Sequence, residues 1–226
     1  MRKSNKFFVT GTDTEVGKTF ITCALLEKAK AQGLTTGALK PVAAGCVEQD
    51  GILKNEDALA LIDSMTLSLP YQSVNPIALK EAIAPHLAAS HENKVLQTSR
   101  LTGFIQGAFM NRADLWLVEG AGGWFVPLNP RETLADIVIK LQLPVILVVA
   151  IRLGCINHAL LTANAIRQAG LPIAGWVANC MDDNAECVQE NIQSIYERIQ
   201  APLLGVVPKC ENAQKASEYL SIEMLL

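Results

Sequence analysis

The stretch that most limits what this chain can fold into is Phe7-Phe8-Val9-Thr10-Gly11-Thr12-Asp13-Thr14-Glu15-Val16-Gly17-Lys18-Thr19. An apolar, strand-like run enters a turn of Gly and small polar residues. Gly17-Lys18-Thr19 then opens a helical pattern that continues through Ala24, Leu25, Leu26 and Ala29. Strand, Gly-containing loop, Gly-Lys-Thr and helix, in that order, read as a phosphate loop. Successive backbone N–H groups and a helix N-terminus make a concave positive site for phosphate oxygens. Lys18 would reach the terminal phosphates as a point charge, and the Thr19 hydroxyl would ligate Mg²⁺. Five residues separate Gly11 from Gly17, one more than the general motif has. The bland alternative is an ordinary strand-to-helix turn that happens to contain Gly-Lys-Thr; the fit of both flanking elements weighs against it.

A chain of 226 residues can bury one substantial core, and no repeat, low-complexity tract or linker divides it, so a single domain over 1–226 is expected. Half of the residues (50%) are hydrophobic and 18% charged, which suits a well-buried sheet. The net charge of −3 gives no electrostatic footprint for nucleic acid. The longest apolar run, 143–151, contains Pro144 and is too short to cross a bilayer, so no membrane partner is expected. Met1-Arg2-Lys3 is basic, but Phe7-Phe8-Val9 is too short for a signal-peptide core, and a cytoplasmic location is expected. Six cysteines (Cys23, Cys46, Cys155, Cys180, Cys187, Cys210) form no Cys-x-x-Cys pair and no ligand pattern with His86, His91 or His158. Reduced, structural thiols are the expectation.

Gly33 stops the first helix, and 35–39 reads as a second strand ending at Lys40-Pro41. Residues 41–55, with Gly45 and Gly51, are expected to be a loop. Asp57 stands at the entry to a short helical run, 58–62, and the Pro-containing segment 67–85 is expected to be irregular. Residues 94–112 have helical spacing of apolar side chains. Further strands are expected at 115–118, 145–150, 173–178 and 203–207, with helices at 133–141, 156–168 and about 186–199. Strands alternating with helices, several without polar alternation, predict an α/β domain with a mainly parallel sheet covered on both faces. Ligands then bind at the carboxyl ends of the strands.

The unusual polar residues stand at such ends. Glu119 follows four apolar residues, Leu115-Trp116-Leu117-Val118, where a nucleotide-bound Mg²⁺ needs an acid opposite the phosphate loop. Gly120-Ala121-Gly122-Gly123 carries almost no side-chain bulk, so backbone can approach a phosphate or sugar closely. Lys40 would point into the same crevice as Lys18, and two cations there would offset charge developing in a transition state. A solvated surface lysine is the plain alternative for Lys40. An acid such as Asp57 in a first helical turn also favours the dipole with no further role. Residue physics stops at an ATP- or GTP-dependent, Mg²⁺-requiring phosphoryl-transfer or ligase site.

The wider pattern is more specific. Gly-Thr-Asp-Thr-Glu-Val-Gly-Lys-Thr at 11–19 is followed by Leu39-Lys40-Pro41-Val42-Ala43, Asp57-Ala58-Leu59-Ala60-Leu61, Val74-Asn75-Pro76 and Pro85-His86. Then come Leu117-Val118-Glu119-Gly120-Ala121-Gly122-Gly123-Trp124, Leu153-Gly154-Cys155-Ile156-Asn157-His158, Gly175-Trp176-Val177-Ala178-Asn179 and Pro202-Leu203-Leu204-Gly205. With these segments in this order the chain resembles the dethiobiotin synthetase family along nearly its whole length, and the extra phosphate-loop residue is that family's own spacing. The resemblance implies a P-loop NTPase-like domain that joins 7,8-diaminononanoate and CO₂ (or bicarbonate) with ATP as co-substrate and Mg²⁺ as cofactor. Lys18 and Lys40 would hold carbamate and γ-phosphate together, and Thr19, Asp57 and Glu119 would ligate the metal.

Nucleotide contacts implied by the resemblance run over Glu15, Val16, Gly17, Lys18, Thr19, Phe20, Asp57, Glu119, Gly120, Ala121 and Gly122. Asn179, Cys180, Val207, Pro208 and Lys209 would surround the adenine; an Asn amide donates and accepts at once, as a purine edge requires. Substrate contacts would fall to Thr14, Lys40 and Ala44. Gly154, Cys155, Ile156 and Asn157 of the other subunit of a homodimer would receive the substrate carboxylate, with Cys155 contributing packing and backbone rather than a nucleophile. Two positions depart from the family: Ala44 stands where Ser or Thr is common, and Cys180 where an acid is frequent. The rival readings are a partitioning-type ATPase switch and an amidoligase domain. The first usually carries an additional Lys early in the phosphate loop, and 12–16 contains none. The second is normally joined to a glutaminase domain, for which this length leaves no room.

Overall fold

Strands that read as unbroken apolar runs must be covered on both faces, and the computed structural model, which describes residues 5–182 and 185–226, meets that demand. The basic Met1-Arg2-Lys3 lies outside the described residues. In chain order the first half holds β1 (Asn5–Gly11), α1 (Lys18–Ala31), β2 (Thr36–Leu39), β3 (Val42–Ala43), β4 (Val47–Gln49), β5 (Ile52–Lys54), α2 (Glu56–Ser64), α3 (Tyr71–Val74), β6 (Ile77–Ala78), α4 (Pro85–His91) and α5 (Thr98–Ala108). The second holds β7 (Leu115–Glu119), α6 (Leu134–Leu141), β8 (Val145–Ala150), α7 (Cys155–Gln168), β9 (Ile173–Asn179), α8 (Val188–Ile199), β10 (Leu203–Val207), α9 (Ala213–Ser217) and a closing 3-10 turn, Glu223–Leu225.

Six strands make one sheet in the order β10-β9-β8-β1-β7-β2, and every neighbouring pair is parallel. Side chains alternate between its faces. Phe7 and Val9 pack with Leu25 of α1, Leu61 of α2 and Ala216 of α9 on one side. Phe8 and Trp116 pack with Ile105 of α5 and Ile137 of α6 on the other, and Trp176 continues that layer with Ala163 of α7 and Ile195 of α8. The central strand β1 lies between β7 and β8: from β1 the chain crosses to β2 on one side, and later it crosses from β7 over β1 to β8 on the other. The crevice beyond its carboxyl end is where such a sheet takes its ligand.

Several expectations are corrected. The 41–55 loop contains β3 and the antiparallel hairpin β4–β5, and 67–85 contains α3 and β6. β3 pairs in parallel with β6 through Val42 and Ile77, which are far apart in the chain, so no local pattern marks either strand. The helix expected over 94–112 runs only from Thr98 to Ala108, because Lys94 donates its N–H back to the Ala89 carbonyl and closes α4 instead. α9, beyond the last expected strand, packs against α1.

Candidate active site

β1 delivers the chain at Gly11, and α1 begins at Lys18. The fifth residue of the turn is absorbed by folding the loop back on itself. Glu15 takes a left-handed conformation (φ 56), Val16 is buried under the loop, and Gly17 follows at φ 81. A Cβ on Gly17 would also collide with the Asn179 amide, so glycine is required there on two counts. That amide, at the carboxyl end of β9, donates to the Val16 carbonyl at 3.0 Å. One of its two N–H groups is therefore committed to bracing the loop. No side chain caps α1, so its first N–H groups remain available to an anion.

Lys18 is buried, and its Nζ donates to the Asp13 carbonyl at 2.8 Å. Burial, and after it the Lys40 ammonium, lower its pKa to about 8. Lys40 follows the last residue of β2, and Glu119 ends β7. Lys40 Nζ lies 2.6 Å from Glu119 Oε1 and 2.8 Å from Asp57 Oδ2, and donates to the Gly120 carbonyl at 3.2 Å. Burial works against this ammonium, but the carboxylates of Glu119 and then Asp57 outweigh it and raise the pKa. Burial likewise opposes the Asp57 carboxylate, and Lys40 overcomes it, holding Asp57 below the ordinary range.

Glu119 is fully buried, and its Oε1 accepts from Lys40 and from the Thr19 hydroxyl, the latter at 2.7 Å. Its Oε2 has no hydrogen-bond partner. Thr19, Asp57 and Glu119 offer only oxygen donors, the set a hard cation such as Mg²⁺ prefers, and the buried, unpartnered Oε2 is an acceptor that such a cation would satisfy. Among the described residues no group of three or more His, Cys, Asp and Glu is placed to hold a metal. Mg²⁺ does not require one, since it is usually held by one or two carboxylates together with substrate phosphates.

These groups surround a cleft of about 730 Å³. It brings together Thr14, Glu15, Gly17, Lys18, Thr19, Phe20, Lys40, Ala44, Asp57, Ala121 and Gly122, with Val16, Glu119 and Gly120 not among the lining residues. Its far wall is apolar: Ala82, Ile83, Ala84, Pro85, Val126 and Pro127. Asn179, Cys180, Val207, Pro208 and Lys209 lie outside the cleft at the carboxyl ends of β9 and β10, where the Cys180 N–H donates to the Val207 carbonyl at 2.8 Å. Burial raises the Cys180 thiol pKa. Gly154, Cys155, Ile156 and Asn157 form the start of α7 and do not line the cleft; Cys155 is buried in the core. Arg152, just before them, sits 3.7 Å from Asp13 of the phosphate loop.

Sequence reasoning passed over Asn55, Tyr71 and the support role of Asn75. Asn55 was findable: an Asn directly before Glu56-Asp57 is an N-cap followed by an acidic first turn, and its Oδ1 accepts from the Asp57 N–H at 3.1 Å. Tyr71 carries no local signal.

A family model described as an AAA domain matches residues 5–217. The chain is 54% identical to a protein of Cellvibrio japonicus named ATP-dependent dethiobiotin synthetase BioD, over 97% of each chain. It is 53% identical to the protein of the same name from Pseudomonas aeruginosa UCBPP-PA14, over 93% of this chain and 92% of that one. Against the Escherichia coli K12 protein named ATP-dependent dethiobiotin synthetase BioD 1, identity is 46% over 98% and 100%. Among solved structures it is similar to the Pyrococcus horikoshii septum site-determining protein MinD complexed with Mg-ADP, at TM-score 0.56 and 15% identity, covering 93% and 86% of the chains. It is also similar to a ParA family ATPase from Chlorobium tepidum, at TM-score 0.55 and 14% identity, covering 98% and 96%. At such identities the structural likeness speaks for the P-loop fold alone.

Proposed function

The chain belongs to the dethiobiotin synthetase family, and from that premise we infer that it is an ATP-dependent ligase that closes the ureido ring of dethiobiotin from 7,8-diaminononanoate and CO₂. The observation that carries the reading at the site is the buried cluster in which Lys40 lies 2.6 Å from Glu119 and 2.8 Å from Asp57, in one cleft with Lys18. One amine adds to CO₂ and sheds a proton to give a carbamate. The carbamate oxygen attacks the γ-phosphorus of ATP and ADP departs, leaving a carbamic–phosphoric anhydride. The second amine attacks the carbonyl carbon, phosphate leaves, and the ring closes with loss of a proton.

Lys18 exchanges the neutral Asp13 carbonyl for phosphate and carbamate oxygens, which favour its charged form. Lys40 holds the carbamate from the other side, so the two reacting groups meet without a fresh loss of orientational freedom. The helix start at Thr19, Phe20 and the backbone of Gly120, Ala121 and Gly122 cradle the phosphates. Thr19, Asp57 and Glu119 would hold Mg²⁺, which when bound would offset charge on the transferring phosphoryl group. The apolar wall of Ala82, Ile83 and Ala84 suits the alkyl chain of a diamine. Asn179, Cys180, Val207, Pro208 and Lys209 take the adenine; the free half of the Asn179 amide is what remains to read its edge.

We assign the subunit interface of a homodimer to the turn before α7. Leu153 is fully exposed there, an apolar side chain beside Gly154, Cys155, Ile156 and Asn157; the Cys155 N–H is taken by the Arg152 carbonyl, and the N–H groups of Gly154, Ile156 and Asn157 suit the substrate carboxylate of the opposite subunit. Six free thiols suit a reducing compartment, and the cytoplasm is the location we propose. No described helix is long and apolar enough to cross a membrane. The test is ADP release assayed with each component withheld in turn. Release that requires both the diamine and bicarbonate supports the ligase; turnover indifferent to the diamine and stimulated by DNA or lipid overturns it in favour of a P-loop switch.

A further inference from the structure

Behind the cleft, a chain of hydrogen bonds joins the backbones that carry Lys40 and Asp57. The Tyr71 hydroxyl, from the first residue of α3, accepts from the Asn55 backbone N–H at 2.7 Å and donates to Asn75 Oδ1 at 2.9 Å. Asn55 in turn caps α2, accepting from the Asp57 N–H at 3.1 Å and the Ala58 N–H at 3.4 Å. Asn75 Nδ2 donates to the Lys40 carbonyl at 2.6 Å, and the Lys40 N–H donates to the Val74 carbonyl at 2.9 Å. Both backbone groups of Lys40 therefore rest on Val74 and Asn75, while the turn that presents Asp57 rests on Asn55. The Tyr71 hydroxyl connects Asn55 to Asn75, and Asn55 Nδ2 also donates to the Ala44 carbonyl, four residues beyond Lys40, at a longer 3.3 Å.

The Tyr71 ring packs against the core on the α1 side of the sheet, so the hydroxyl cannot drift far. Burial pushes its pKa up, which keeps the proton it donates to Asn75. Asn75 is 2% exposed, and water cannot easily take the place of that donor.

We infer that Tyr71 is a positioning residue, whose hydroxyl sets the separation of Lys40 from Asp57 and so the geometry in which this pair meets nucleotide and substrate. The inference rests on the ligase reading for the tasks of Lys40 and Asp57. It assigns Tyr71 no contact with substrate; groups that orient the groups doing chemistry commonly change rate or metal affinity by about 10- to 100-fold when removed.

Tyr71→Phe removes one oxygen and keeps the ring. In the full chain, kcat is expected to fall by about 10-fold or more while KM for the diamine, which Tyr71 does not touch, stays within about twofold. That split should persist at 10 °C, with circular dichroism reporting a fully folded chain. Calorimetry gives a readout independent of turnover: the gain in ATP affinity on adding Mg²⁺ should shrink by about 10-fold. Asn75→Ser, which breaks the same link from the Lys40 side, should reproduce the split, and Ser73→Ala, exposed on the same short helix, should leave both quantities unchanged. A folded Tyr71→Phe chain with kcat and Mg²⁺ gain both as in the unsubstituted chain overturns the inference. So does a loss of kcat that vanishes on cooling with the Mg²⁺ gain intact. Absence of diamine-dependent turnover in the unsubstituted chain would instead sink the ligase reading, and the calorimetry would still judge Tyr71.

Discussion

Lys18 and Lys40 face the same cleft and are both buried, at 7% and 3% exposure, yet their charges are held in opposite ways. Lys18 donates to a neutral carbonyl, and burial together with the neighbouring ammonium brings its pKa down to about 8. Lys40 stands between two carboxylates, and they raise its pKa although it is the more deeply buried of the two. At Lys18, which donates to a neutral carbonyl, burial prevails; at Lys40 the two carboxylates within hydrogen-bonding distance outweigh it. The difference matches the two tasks proposed for these lysines. A cation that must change partners when phosphate arrives is kept loosely, whereas one that must hold a fixed place is locked into an ion-pair network before any ligand binds.

The sharpest way to break this contrast is Lys40→Met, which strands Glu119 as a buried carboxylate without its cation. A fall in kcat of about 10²–10³-fold is expected, as for loss of a group that stabilises transition-state charge. Stability should drop by about 3–5 kcal/mol, the usual consequence of unpairing a buried charge, and urea unfolding measures it. Lys18→Gln should cost activity without that penalty. Here kcat falls by about 10²-fold and ATP binds more weakly, while stability stays within about 1 kcal/mol because only a bond to a carbonyl is lost. If KM for ATP rises with kcat unchanged, Lys18 serves binding alone and the contrast of tasks is wrong.

The contrast also has a pH signature. Nucleotide favours charged Lys18, so ATP affinity should be full below about pH 8 and decline as pH rises through about 8, where the free chain loses that proton. Above the pKa the decline approaches about tenfold per pH unit, and Lys18→Gln should flatten it. Lys40, raised rather than lowered, should contribute nothing in that range. Calorimetric titration of ATP from pH 7 to 9.5 separates these outcomes. The smallest effect belongs to Ala44→Ser, which returns a hydroxyl to the cleft lining. One neutral hydrogen bond, about 1 kcal/mol, should lower KM for the diamine several-fold. An unchanged KM would mean that the hydroxyl is not missed.

Legibility followed the range of the interactions involved. The strand before Gly11, the helix from Lys18, and the runs that became β7, β8, β9 and β10 were readable because local pattern and tertiary burial agree there. β3 and β6 are two residues each and exist only because Val42 and Ile77 pair across the fold, which no window along the chain can detect. Within the site, Lys18 and Thr19 were legible from the motif, and Asp57 only as an acid in a first turn. Asn55 could have been recognised as its cap. The join through Tyr71 to Asn75 and Lys40 could not, since nothing in a tyrosine's neighbours along the chain says which carbonyls its hydroxyl will meet.

The sequence by itself determined the phosphate loop: a glycine in a left-handed conformation, an uncapped helix start and a lysine one residue on are local consequences of residue type. Only the tertiary structure decided that Lys40 and Glu119, 79 residues apart, meet at 2.6 Å. β2 and β7 pair in parallel with Leu39 beside Val118, so the next residues of each strand come side by side. Leu39 and Val118 turn together to one face of the sheet, which sends Lys40 and Glu119 together to the other. A slip of one residue in that register would send Glu119 to the opposite face and leave Lys40 unpaired. Register is set by packing across the whole sheet, and that is why the ion pair at the centre of the site belongs to the fold rather than to any stretch of the chain.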